Sequence, residues 1–212
     1  MVIAIDGPAG AGKSTVARSV AAALGFTYLD SGAMYRCVAL MALRTGADLG
    51  DGDGLGDLAR ALEIEATGGK VLVNGVDVTE AIREDEVSAA ASQVSVHPQV
   101  REAMVERQRE LIDSDRYVAE GRDIGTVVSP DAPLKVFLTA SEEERARRRA
   151  AESGEPDAPV REAIRQRDRR DTERRHGALR PAENAVEIDT TDLSVAQVVA
   201  RVVELAGERG LA

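Results

Sequence analysis

The stretch GPAGAGKST, residues 7–15, follows the short apolar segment VIAI at residues 2–5, and it decides the fold. Residues 7–14 match the pattern G-x-x-x-x-G-K-[ST] at every fixed position. Glycines let successive backbone N–H groups point at one anion, and a helix that begins there adds its positive end. The alternative is a glycine-rich turn with a chance lysine, and the position between an apolar strand and a helix disfavours it. The loop therefore predicts a nucleoside triphosphate site.

The residues of this predicted ATP site are consecutive: Gly7, Pro8, Ala9, Gly10, Ala11, Gly12, Lys13, Ser14 and Thr15. Lys13 would supply a cation for the β- and γ-phosphates, and the Ser14 hydroxyl would be a ligand of Mg²⁺. Kinases, GTPases, motor ATPases and transporters all use such a loop, so it does not identify the phosphate acceptor.

The composition excludes several classes of protein. The chain has 212 residues, 43% of them hydrophobic, 2% aromatic, and a formal net charge of -10. Negative charge and few aromatic side chains argue against binding nucleic acid. No segment is long and apolar enough for a membrane span, no signal sequence opens the chain, and a single cysteine allows no internal disulfide. We expect a cytoplasmic monomer that binds small-molecule nucleotides.

Strand-like and helix-like segments alternate along the chain and predict an α/β fold with a parallel sheet. The interruptions are a small antiparallel insertion at residues 63–82, centred on Gly68-Gly69 and the Asn74-Gly75 turn, and a Gly/Pro-containing hinge at residues 152–159. The predicted strands are residues 2–5, 28–29, 117–120, 134–138 and 186–189, and the predicted helices include residues 33–44, 55–62, 85–94, 98–112 and 160–176. Capping boxes are predicted at Ser141 with Glu144 and at Ser194 with Gln197.

Polar residues that follow two of the predicted strands are candidates for an acceptor site, because strand carboxyl ends face the ligand crevice in such sheets. Ser31 and Arg36 follow one strand, and Arg122 and Asp123 follow another. An arginine can hold a phosphate with two hydrogen bonds. The alternatives are that Ser31 is a helix N-cap, that Arg36 is solvated, and that Arg122 and Asp123 close a turn by pairing with each other.

The segment RQRDRRDTERR, residues 165–175, places Arg167, Arg170 and Arg174 on one predicted helix face, with Asp171 three residues before Arg174. A solvated charged helix is the ordinary interpretation of such a run. Because this one follows the predicted hinge, we interpret it as a lid whose arginines close on a transferring phosphoryl group.

Seven segments together resemble the bacterial cytidylate kinases, (d)CMP kinases of the P-loop nucleoside monophosphate kinase group. They are IDGPAGAGKST, LDSGAMYR, AASQVSVHPQVR, EGRDIGTVV, DAPLKVFLTAS, RDRRDTER and IDTTDLSVAQV, and they span nearly the whole chain. The resemblance implies one P-loop kinase domain with a core (residues 1–35, 113–150 and 180–212), a nucleotide-binding insertion (about residues 36–112) and a helical arginine-rich lid (about residues 152–178). Glu120, Ala178 and Asn184 depart from residues common in that family.

The resemblance also implies an activity, namely Mg²⁺-dependent transfer of phosphate from ATP to CMP or dCMP. The residues it assigns to CMP are Ser31, Arg36, Ser92, Arg101, Arg122, Asp123, Arg167, Asp171 and Arg174, with Arg36 and Arg122 at the phosphate. Those it assigns to catalysis are Lys13, Arg122, Arg167, Arg170 and Arg174. The rival functions are another P-loop kinase acting on UMP, AMP or a small metabolite, and a nucleotide-dependent switch.

Overall fold

The computed structural model of the chain describes residues 1–67, 69–154 and 157–212. Its strands are β1 (Val2–Asp6), β2 (Thr27–Asp30), β3 (Ile64–Thr67), β4 (Lys70–Val73), β5 (Val76–Asp77), β6 (Tyr117–Gly121), β7 (Leu134–Thr139) and β8 (Val186–Asp189). Its α-helices are α1 (Lys13–Leu24), α2 (Ser31–Thr45), α3 (Gly52–Ala61), α4 (Asp85–Val94), α5 (Pro98–Asp113), α6 (Glu142–Ser153), α7 (Asp157–Glu173) and α8 (Val195–Glu208). The predicted alternation of strands and helices is confirmed.

The larger sheet has the strand order β2-β6-β1-β7-β8, and β1 pairs in parallel with both β6 and β7. Every residue of β1 is buried, as its apolar sequence predicts for a strand covered on both faces. Asp6, the last residue of β1, lies in register with Gly121 of β6 and Phe137 of β7. The segments that leave these three strands therefore start at one edge of the sheet.

Helices α1 and α8 share one hydrophobic core with the strands of this sheet. Val16 and Val20 of α1 and Val202 of α8 pack in that core with Ile5 and Leu138 of the strands. Val198, Val202 and Leu205 of α8 are buried, while Val195 at its first position is exposed. The predicted capping box of Ser194 with Gln197 is formed. Aliphatic side chains make up most of this core, as expected of a chain with only 2% aromatic residues.

The predicted antiparallel insertion is confirmed as the three-stranded sheet β3-β4-β5. Asn74 and Gly75, which connect β4 to β5, have φ of 50° and 77°. These are the left-handed conformations that a tight hairpin turn requires and that asparagine and glycine tolerate best. Gly68, half of the predicted Gly68-Gly69 pair, lies outside the described residues.

The chain divides into two compact units, residues 30–110 and residues 1–29 together with 111–212. The small sheet lies in the first unit, and the loop at residues 7–15 lies in the second. The boundaries predicted for the core, the insertion and the lid stay a prediction. No helix among the described residues is long and apolar enough to cross a membrane.

Two local predictions around the lid need correction. The predicted hinge at residues 152–159 is mostly helical, since α6 runs to Ser153 and α7 begins at Asp157, while Glu155 and Pro156 lie outside the described residues. Pro159 fits the first turn of α7, where a backbone N–H has no partner within the helix. Ser141 caps α6 as predicted, but the Glu144 carboxylate turns to Arg147 and Arg148 and does not complete a capping box.

Candidate functional site

The phosphate loop connects β1 to α1 and needs glycine for two separate reasons. A Cβ atom on Gly7 would lie 2.2 Å from the carbonyl oxygen of Leu138, so only glycine allows this close approach to β7. Gly12 caps α1 with φ of 86°, a left-handed conformation that glycine adopts without strain. The strand, loop and helix that the sequence motif requires are all present.

Lys13 is buried at the first turn of α1, and its ammonium group donates a 2.8 Å hydrogen bond to the carbonyl oxygen of Pro8. Burial and the nearby Arg122 guanidinium lower the pKa of Lys13 to about 7. A cation held in such an unfavourable environment gains strongly from an anion beside it. Ser14 and Thr15 are exposed at the same helix end.

Asp6 is a buried acid that the sequence interpretation missed. Its carboxylate accepts hydrogen bonds from the backbone N–H groups of Ile124, at 2.8 Å, and Gly125, at 2.7 Å. Burial raises the pKa of Asp6 to about 6, against the lowering effect of those two hydrogen bonds. In the sequence, the feature that could have indicated this residue is an acidic side chain at the end of an otherwise apolar strand.

Arg122 follows β6 and reaches two different segments. Its Nε donates to Asp171 Oδ2 at 2.7 Å, and its Nη1 donates to the Gly7 carbonyl oxygen at 2.9 Å. Asp171 of α7 is therefore its ion-pair partner, and the predicted alternative of a turn closed by Arg122 and Asp123 is wrong. Asp123 is itself buried, next to the turn that Asp6 holds.

Asp171 is the centre of a charge cluster at the lid. Burial alone would raise its pKa, but Arg122, Arg174 and Arg167 outweigh that effect and hold the pKa below its usual value. Arg174 lies one residue beyond the end of α7, with its Nη1 3.7 Å from Asp171 Oδ1. Arg170 instead donates from Nε to the carbonyl oxygen of Gln166 on its own helix, at 3.3 Å. Because α7 ends at Glu173, Arg174 lies outside the helix on which the sequence places it, and the prediction of one helix face for all three arginines is wrong in this respect.

Arg145 of α6 is a second residue that the sequence interpretation missed. Its guanidinium donates to the carbonyl oxygens of Ala140, at 3.1 Å, and Ala9, at 3.2 Å, and pairs with Asp168 of α7. It therefore connects α7 to the phosphate loop. In the sequence it is one of several arginines on a charged helix, and nothing in that pattern distinguishes it.

The smaller unit carries four of the predicted acceptor residues, on α2, α4 and α5. Ser31 is the buried first residue of α2, while Asp30 is the cap and accepts from the Ala33 N–H at 2.9 Å. The predicted alternative of Ser31 as the N-cap is therefore wrong. Arg36, one turn on, is half-buried, and within residues 1–67, 69–154 and 157–212 its buried Nε has no hydrogen-bond partner.

Ser92 of α4 and Arg101 of α5 complete this set, and both are buried. The Arg101 guanidinium lies over the ring of Tyr35, 5.8 Å from its centroid. A ring face stabilises a guanidinium by a cation–π contact and leaves its N–H edges available for hydrogen bonds. A buried hydroxyl and a buried guanidinium are groups that can distinguish one base edge from another.

The described part of the chain holds no cluster of three His, Cys, Asp or Glu side chains that could bind a metal by itself. The metal ligand predicted from the sequence, the Ser14 hydroxyl, is exposed at the start of α1. Mg²⁺ commonly keeps several waters and binds through one or two protein oxygens together with the phosphates of the substrate. The residues present fit a metal of that kind.

A family model described as cytidylate kinase matches residues 3–208. The chain belongs to the cytidylate kinase family. Curated members agree over nearly full length: the cytidylate kinase of Solibacter usitatus is 48% identical over 216 residues, covering 99% of this chain and 93% of that protein. The cytidylate kinase of Geobacillus kaustophilus is 51% identical, covering 98% and 96%.

Solved structures show the same fold at much lower identity. A gluconokinase from Sinorhizobium meliloti matches with a TM-score of 0.54 at 16% identity, over 98% of this chain and 94% of that one. A shikimate kinase from Bacteroides thetaiotaomicron matches with a TM-score of 0.50 at 15% identity, over 98% of each chain. The family shares its architecture with kinases named for quite different acceptors, so the fold alone does not define the substrate.

Proposed function

We propose that the chain transfers the γ-phosphoryl group of ATP to CMP and dCMP and releases ADP with CDP or dCDP. The observation that supports this most directly is the pair of cations at the phosphate loop. Lys13 and Arg122 each donate to a carbonyl oxygen of that loop, Pro8 O and Gly7 O. Two buried cations that share one loop can exchange these carbonyl oxygens for the oxygens of two phosphates.

The reaction we propose is a direct in-line transfer. The bond from the γ-phosphorus to the bridging oxygen of ADP breaks while a bond to an oxygen of the CMP phosphate forms. That acceptor oxygen is already largely ionised, so no strong general base is needed, and His97 and His176 have no catalytic part. Positioning and charge stabilisation by Lys13 and the arginines then account for catalysis. Mg²⁺, arriving with ATP, would neutralise phosphate charge beside Ser14.

For the lid we propose that Arg167, Arg170 and Arg174 stabilise the transferring group, with Asp171 orienting Arg122. The support is electrostatic, since Arg167 contributes to lowering the pKa of Lys13 and Arg174 lies beside Asp171. Arg170 Nε donates to the carbonyl oxygen of Gln166 on its own helix.

For the acceptor we propose that Arg36 binds the phosphate of CMP together with Arg122, and that Ser31, Asp123, Ser92 and Arg101 position the nucleotide. A buried Nε without a hydrogen-bond partner among the described residues supports the part assigned to Arg36, since an anion would satisfy it. Cytosine offers an amino donor and a ring-nitrogen acceptor, and uracil reverses both. A serine oxygen and an arginine can therefore discriminate between the two bases.

A coupled assay with ATP, Mg²⁺ and each of CMP, dCMP, UMP and AMP tests this function. We expect phosphorylation of CMP and dCMP well above that of UMP and AMP. Equal rates on UMP and CMP would contradict the proposed base choice, and ATP hydrolysis without phosphorylation of any acceptor would favour a nucleotide switch. We also propose that the protein is a monomer, lies in the cytoplasm and acts only on small nucleotides.

A further inference from the structure

The carboxylate of Asp6 connects the two catalytic segments of the larger unit through backbone atoms. Asp6 is the residue directly before the phosphate loop, and its two hydrogen-bond donors, Ile124 and Gly125, directly follow Arg122 and Asp123. Both hydrogen bonds are short, and the side chain is buried. One side chain thus holds together the start of the phosphate loop and the turn that carries Arg122.

The turn is fitted closely around this carboxylate. A Cβ atom on Gly125 would lie 3.3 Å from Asp6 Oδ2, a tighter contact than a β-carbon ordinarily makes. Residues 124–128 form a short turn of π-helix whose first N–H groups are the two that Asp6 accepts. Such wide helical turns are uncommon and frequently lie at functional sites.

We propose that Asp6 is a positioning residue for the acceptor phosphate, which sets the turn after β6 so that the Arg122 guanidinium meets a phosphate held beside the loop. The inference rests on the proposed transfer to CMP. Asp6 is not among the residues proposed above for ATP, CMP or catalysis. It acts through the Ile124 and Gly125 N–H groups and does not touch a substrate.

The ionised carboxylate of Asp6 does not stabilise the folded protein. Burial raises the pKa of Asp6, and Asp123 adds repulsion, while Lys13 partly compensates. Lys135 of β7 also packs against Gly125, beside the carboxylate. A carboxylate is nevertheless suited to the task, because two converging N–H donors need two acceptor oxygens. An asparagine could satisfy only one of them and would present its own donors to the other.

The first test is kinetic and uses Asp6→Asn. We expect KM for CMP to rise about tenfold while KM for ATP changes by less than about threefold, because the turn of Arg122 shifts and the loop does not. The ratio of wild-type to variant kcat/KM for CMP is then measured against pH. It should fall towards unity below the Asp6 pKa of about 6, where the wild-type side chain is also neutral. Ionisation of CMP itself cancels in this ratio.

Asp77→Asn is a matched control, because Asp77 is an exposed strand-end acid that also accepts a backbone N–H, that of Thr79. It should leave both KM values unchanged. Wild-type protein that leaves CMP unphosphorylated would overturn the proposed function and this inference with it. Active wild-type protein with an Asp6→Asn variant of equal kinetics would overturn the inference alone.

A second measurement uses the wild-type protein, so it tests the role of Asp6 even if the Asp6→Asn variant does not fold. The amide proton resonances of Ile124 and Gly125, followed by NMR, should shift together in one titration with a midpoint near the Asp6 pKa of about 6. Arg122 side-chain resonances should follow the same curve. Amide signals that do not respond through that pH range would show that Asp6 does not control the turn and would overturn the inference.

Discussion

Arg122 and Asp171 form a largely buried ion pair, with Nε and Oδ2 2.7 Å apart, that joins the turn after β6 to α7. Their side chains are 15% and 5% exposed, so solvent screens the pair only weakly. The same guanidinium also donates from Nη1 to the carbonyl oxygen of Gly7 in the phosphate loop. The position of α7 and the position of Arg122 are therefore coupled through Asp171.

Asp171→Asn should lower the free energy of unfolding by about 3 kcal/mol near neutral pH, because Arg122 and Arg174 lose a buried counter-charge. Urea denaturation measures this. Glu173→Gln, which removes an exposed pair with Arg169, is the control and should change the free energy of unfolding by less than about 0.5 kcal/mol. Equal effects of the two substitutions would contradict the importance of the buried pair.

The same pair predicts a pH dependence. The pKa of Asp171 lies below its unfolded value of 3.8, so the stabilisation it provides is present above that pH and is lost as pH falls towards the folded value. The difference in unfolding free energy between wild-type protein and Asp171→Asn should therefore be constant at neutral pH and shrink in acid. A difference that stays constant into acid would be inconsistent with the ion pair.

Lys13→Met should reduce kcat by about a hundredfold or more, because the cation that we propose for the β- and γ-phosphates is lost. The fold should persist, since burial lowers the pKa of Lys13 and charging this amine therefore disfavours the folded state. Steady-state kinetics and thermal unfolding are measured together, with Lys70→Met, at an exposed lysine of β4, as the control. Turnover close to wild type in Lys13→Met would refute the proposed mechanism.

Ser92→Ala should reduce the preference for CMP over UMP by about tenfold, because the hydroxyl proposed to face the cytosine amino group is removed. The measured quantity is the ratio of kcat/KM for the two nucleotides. Ser88→Ala, one turn earlier on α4 and half-buried, is the control and should keep the wild-type ratio. An unchanged ratio in Ser92→Ala would exclude Ser92 from base selection.

The buried Asp6 carboxylate should give a pH dependence of stability opposite to that expected for Asp171. Its folded pKa of about 6 lies above the model-compound value of 3.8, so the folded state binds its proton more tightly than the unfolded state does. The free energy of unfolding of wild-type protein relative to Asp6→Asn should therefore rise by about 2 kcal/mol as pH falls from neutral to about 4. Asp77→Asn is the control. Because the Asp77 pKa is lowered, the contribution of this acid to the free energy of unfolding should weaken as pH falls, opposite to that of Asp6.

Much of the fold was predictable because its elements are encoded locally. The apolar run before the phosphate loop predicted β1, the Asn74-Gly75 pair predicted the hairpin of the small sheet, and α4 was predicted at its observed bounds. The errors came at helix ends around the lid, where Pro159 was interpreted as part of a hinge although a proline also fits a first helical turn. The paired partners of Arg122 and Arg145 were not predictable, because Asp171 and Ala9 are distant in the sequence.

By itself the sequence determined the phosphate loop, the alternating architecture and the family, since a local motif and its flanking periodicity carry that information. Only the tertiary structure decided what the charged residues do. It buried Lys13 and Asp6 and so moved their pKa values towards neutrality, and it paired Arg122 with Asp171 and not with the adjacent Asp123. The physical reason is that burial and long-range pairing depend on which segments the parallel sheet brings to one edge, and no single segment contains that information.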